Sequence, residues 1–147
     1  MLSSNALQAK YRSGGLTPED RSPLLECILN ETNPLELAGL LYIWGRSFDE
    51  AAEVKALCIR HINEPSPHLT SVCMKLVCDW WGHWREYQQE LGRYLDPELF
   101  QSDEWYDEVI VAFSFVSRNP YGWSPETLAR YRELEREAER IGLGRFD

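Results

Sequence analysis

The stretch LTSVCMKLVCDWWGHW, Leu69–Trp84, decides the fold class. Its apolar residues Leu69, Val72, Cys73, Leu76, Val77 and Trp80 recur at the i, i+3, i+4 spacing of a helix with one buried face. The run closes at Trp81-Gly82, where glycine suits a left-handed helix end. A second helix-like run follows at once, and no catalytic motif interrupts either.

Five Pro-marked starts extend the reading along the chain: Thr17-Pro18, Asn33-Pro34, Ser66-Pro67, Asp96-Pro97 and Ser124-Pro125. In each, the side-chain oxygen accepts a free backbone N–H. Proline at the first helical position loses nothing, because its N–H would be unpaired there. Thr17 with Asp20, and Asn33 with Glu36, also follow the capping-box spacing. These signals predict about eight helices: 4–11, 18–30, 34–45, 48–63, 69–81, 83–95, 102–118 and 125–141, with Gly142 and Gly144 stopping the last. The alternation Val109, Val111, Phe113 leaves a strand open, but its position between two helix signals favours a buried helix.

Length and composition fit one all-helical domain spanning 1–147. Hydrophobic residues make up 44% of the 147, too many for a disordered chain. The net charge is −9, which argues against nucleic acid or an anionic membrane as partner and favours a basic protein. No stretch has the apolar core of a signal peptide or of a membrane span, so the expected location is cytoplasmic. Cys27, Cys58, Cys73 and Cys78 form no CxxC pair and lie among apolar residues, so buried reduced thiols are expected. Cys58 and His61 have ligand-like spacing, yet no second close pair completes a tetrahedral metal set. No metal or other cofactor is expected.

The chain also carries an internal echo. Aligning Trp44-Gly45 with Trp81-Gly82 gives an offset of 37 residues, which brings Leu40-Leu41 onto Val77-Cys78 and Val54 onto Leu91. Each unit then reads as helix, glycine turn, helix and Pro-marked linker. In pattern this resembles HEAT-type repeats over about residues 18–141, although only the two central units match residue by residue. The resemblance implies antiparallel helical hairpins stacked as a short right-handed superhelix.

Acidic residues concentrate between Asp96 and Glu108, where there is no Lys or Arg. Glu98, Asp103, Glu104, Asp107 and Glu108 surround Trp105, and these six residues form the candidate partner-binding surface. Asp103/Asp107 and Glu104/Glu108 sit at i, i+4, so on a helix they repel, a cost that the helix dipole and a basic partner would offset. A solvated helix start accounts for the same residues without any partner. Catalysis is not expected. His61, His68 and His83 are scattered, and GxSxG, HExxH, P-loop and GxGxxG motifs are absent.

A small, acidic, helical-repeat chain without an active site resembles the immunity proteins of bacterial polymorphic toxin systems, including contact-dependent growth inhibition. The resemblance implies an antitoxin that neutralises a cognate protein toxin, a basic nuclease among the candidates, and acts as a monomer in that complex. It transfers no functional residues, because that family shares little local sequence. Two other readings stay open: a scaffold or adaptor that binds a peptide in a groove, and a hydrolase using buried carboxylates.

Overall fold

A computed structural model describes residues 3–119 and 121–141, and the expected stop at Gly142 and Gly144 lies outside them. Among the described residues there are nine α-helices and no strand. The chain divides into two compact units, one ending at Leu76 and the other beginning at Val77.

The first unit holds α1 (Ser4–Arg12), a 3-10 turn (Pro18–Asp20), α2 (Arg21–Asn30), α3 (Pro34–Ser47), α4 (Ala52–Asn63) and α5 (Leu69–Met74). α5 packs against both α3 and α4, and α1 packs against α2 and α3. All six residues of α5 are buried, Thr70 and Ser71 included. Such a helix needs apolar neighbours on every side, and Leu40, Leu41, Trp44, Val54, Cys58 and Ile62 are buried in the same unit. Trp44 packs against Phe48 with tilted rings 5.1 Å apart, carries the Arg21 guanidinium 5.0 Å from its ring, and donates its indole N–H to the Asp49 carbonyl at 3.1 Å.

Asn33 caps α3 as the sequence suggests, accepting the N–H groups of Leu35 and Glu36 at 2.9 and 3.2 Å. Asp20 accepts the Thr17 N–H at 2.8 Å, which closes the predicted box. Ser66 behaves differently. Its N–H donates to the Thr70 hydroxyl at 2.8 Å, and that hydroxyl donates to the His61 carbonyl at 2.7 Å. The turn into α5 is made instead at His68, with φ 67° and ψ −49°, where the Leu69 N–H reaches the Pro67 carbonyl at 2.8 Å. That is a γ-turn of the rare positive-φ kind, a strained conformation for a residue with a Cβ.

A π-helical segment (Lys75–Trp80) contains the point where the first unit ends and the second begins, and Gly82, φ 77°, follows it. A 3-10 turn (Trp84–Tyr87) leads into α6 (Gln88–Gly92), and α7 (Pro97–Phe100), α8 (Tyr106–Arg118) and α9 (Pro125–Arg140) complete the second unit. α9 packs on α6 and α7, and α7 also touches α8. Val109, Ala112, Phe113, Phe115 and Val116 bury one broad face of α8, so the alternating stretch is helical and not a strand. Trp84, Phe115 and Trp123 form an aromatic knot with ring separations of 4.6 to 6.0 Å. Ser124 caps α9 by accepting the Thr127 N–H at 3.1 Å, and Asp96 caps α7 by accepting that of Glu98 at 2.9 Å.

The two Trp-Gly pairs are not structurally equivalent. Gly82 ends its helix at positive φ, whereas Gly45 lies inside α3, which runs on to Ser47. A glycine can remain helical where tertiary packing overrides its low propensity, and the buried Ile43 and Trp44 just before it anchor this part of α3. The residue-by-residue repeat therefore fails at the turn on which it was aligned, and α4 starts at Ala52 after an extended link instead of at Phe48.

Candidate functional site

The acidic stretch belongs to the second unit and is built by α7, the turn after it and the first turn of α8. α8 begins at Tyr106, four residues later than expected, because Ser102 to Trp105 form a turn. Asp103 and Glu104 thus precede the helix, and the i, i+4 geometry inferred for Asp103/Asp107 and Glu104/Glu108 does not arise. The first-turn acids of α8 are Asp107 and Glu108.

Glu98, Asp103, Glu104 and Asp107 are exposed. Trp105 is half-buried, its ring 6.0 Å from that of Tyr94, and the neighbouring Tyr106 is 39% exposed and lies 5.9 Å from Phe100. The arrangement presents carboxylates around an aromatic centre. Glu108 departs from this group. It is 0% exposed, so it belongs to the interior and offers no carboxylate to a docking surface. Along α8 its position falls beside Val109 and Ala112 on the buried face, which outweighs the acidic run in deciding its side.

Beneath the Trp105 turn sits Tyr94, 2% exposed, with a buried hydroxyl that has no hydrogen-bond partner. Burial pushes its pKa up, Arg93 opposes this and Glu108 adds to it.

Sequence reasoning did not foresee a cleft of about 700 Å³ between α6 and the start of α9, lined by Gln88, Gln89, Glu90, Arg93, Ser124 and Thr127 among others. Glu86 is exposed, while Glu90 is half-buried with one carboxylate oxygen fully screened. No local motif marks this cleft, because its walls come from two separate segments, 88–96 and 124–130.

The chemistry expected of thiols and histidines is muted. Cys58, Cys73 and Cys78 are buried and Cys27 is half-buried. Burial, and then Glu90 and Asp79, push the Cys78 thiol up to about 12, so it holds no thiolate at neutral pH. Burial, then Arg60, keep the half-buried His61 below its ordinary value. Among the described residues no group of three His, Cys, Asp or Glu converges to hold a metal ion, and no helix is long and apolar enough to cross a membrane. No protein-family model, no curated protein and no solved structure matches the chain.

Proposed function

We propose that the chain is a protein-binding inhibitor, an immunity protein that captures a basic toxin domain through its acidic α7–α8 surface. The observation that carries this reading is the exposed set Glu98, Asp103, Glu104 and Asp107 around half-buried Trp105, in a stretch without Lys or Arg. Carboxylates of this kind steer a positively charged partner into encounter, and a partly buried aromatic supplies the central anchor. Against a nuclease they would stand in for phosphates. Binding is the whole activity in this reading, and the helices of the second unit serve only to support it.

Coexpression tests it. The toxin candidate is the C-terminal domain of a large exported protein, if the neighbouring upstream gene encodes one. The chain should restore growth to cells expressing that domain, and purified material should form a one-to-one complex that weakens steeply as salt rises. Growth that is not restored, or a complex indifferent to salt, overturns the proposal.

A second reading, an adaptor for a helical or extended peptide, draws on exposed Leu35 and Tyr42. Seven positions apart on α3, they share one face. Substituting Leu35 and Tyr42 by Ser would abolish partner binding under that reading and leave it intact under the first.

A further inference from the structure

Within the second unit, the cleft between α6 and α9 has the size of a ligand site, about 700 Å³. Most charges and amides on its walls are already engaged. Arg130 donates to the Gly92 carbonyl and to Glu126, each at 3.2 Å. Asp96 caps α7, and the Gln88 amide donates to the Gly122 carbonyl at 3.0 Å. Among the cleft's carboxylates Glu90 is the exception. Its carboxylate is half-buried, one oxygen has no hydrogen-bond donor, and no cation is paired with it among the described residues. A cationic group brought beside an unpaired carboxylate in such a cleft gains a charge-assisted contact that a neutral group does not.

A metal ion is a poor fit, because no three ligating side chains converge at this place among the described residues. An organic cation fits better. Gln89, Ser124 and Thr127 add amide and hydroxyl groups suited to a peptide backbone. We propose that this cleft receives an extended peptide segment of the partner and seats one of its Arg or Lys side chains against Glu90. The inference rests on the proposed capture of a basic protein, but it assigns the anchoring contact to residues separate from the α7–α8 carboxylates.

The test uses the full chain and three tripeptide probes, N-acetyl-Gly-Arg-Gly-amide and its Gln and Glu counterparts, followed by amide NMR shifts. The Arg peptide should shift residues 88–93 and 124–130 saturably, and bind roughly tenfold more tightly than the Gln peptide, with the Glu peptide weakest. Glu90→Gln should reduce the Arg peptide to about the level of the Gln peptide. Arg93→Gln, an exposed change that removes a repelling charge, should tighten it. Asp103→Asn with Asp107→Asn should leave all three affinities unchanged.

Equal binding of the Arg and Gln peptides, no saturable shift up to about 20 mM, or Glu90→Gln without effect each overturn the cleft assignment. Shifts confined to residues 98–107 would also overturn it, while leaving the acidic-surface reading standing. Failure of the toxin rescue alone would sink that reading and not the peptide site.

Discussion

The Lys10 ammonium lies 2.8 Å from one carboxylate oxygen of Asp20 and 2.9 Å from the other, and Asp20 is only 4% exposed. The Lys10 hydrogen bond, then the Thr17 N–H, hold the Asp20 carboxyl below its ordinary value. With the folded value below the unfolded one, the charged carboxylate contributes stability at neutral pH. That contribution is present above about pH 3.9 and is lost as pH falls through the folded value. Asp20→Asn should therefore unfold at lower urea than the parent at pH 7. The gap should narrow on acidification to about pH 3, as urea titrations at both pH values would show. A gap that widens in acid contradicts the assignment.

The Thr70 hydroxyl bridges His61 and Ser66 across the α4–α5 connection and is fully buried. Thr70→Val keeps the shape but strands both partners, which should cost about 1–3 kcal/mol. Thr70→Ser should recover part of this. Urea denaturation of the two variants makes the comparison, and equal stabilities would show that the bridge contributes little.

Two glycines should respond in opposite directions. Gly82, φ 77°, has no atom within 4 Å of an added Cβ, so Gly82→Ala tests backbone strain alone and should lose about 1–2 kcal/mol. Gly39 is helical in α3, and an added Cβ would meet only the Gln8 side-chain oxygen at 3.9 Å. Gly39→Ala should gain about 0.5–1 kcal/mol. Thermal unfolding of both reads the signs directly.

These residues also show what the sequence could and could not convey. Asn33, Asp96 and Ser124 announce helix starts because a cap is a local bond, completed within three residues. Ser66 carries the same signature, but its N–H is claimed by Thr70 from the helix beyond, and the γ-turn at His68 leaves no sequence trace. Trp44-Gly45 and Trp81-Gly82 look alike, yet their conformations follow from tertiary packing. Five of the six proposed contact residues lie at the surface at least in part. Glu108 does not, since an acidic run says nothing about which helix face it meets. Glu90 escaped notice because the cleft around it is assembled from distant segments.

Thiol chemistry supplies a further check. With Cys58, Cys73 and Cys78 buried, and Cys78 pushed up to about 12, only half-buried Cys27 should react with a thiol reagent in the native protein. Burial raises Cys27 as well, so that reaction should be slow. All four should react after denaturation, with mass spectrometry identifying the sites. Rapid native labelling of Cys78 would contradict the packing described for its helix.

The capture of a positively charged partner by the α7–α8 carboxylates is tested most directly by association kinetics of the purified complex across ionic strength. Asp103→Lys combined with Asp107→Lys should lower the association rate about tenfold or more at low salt and flatten its salt dependence. Dissociation should change far less, and the variant's unfolding midpoint should fall only modestly, by the cost of placing a cation in the first turn of α8. An association rate unaltered by the reversal, at any salt concentration, would contradict the account.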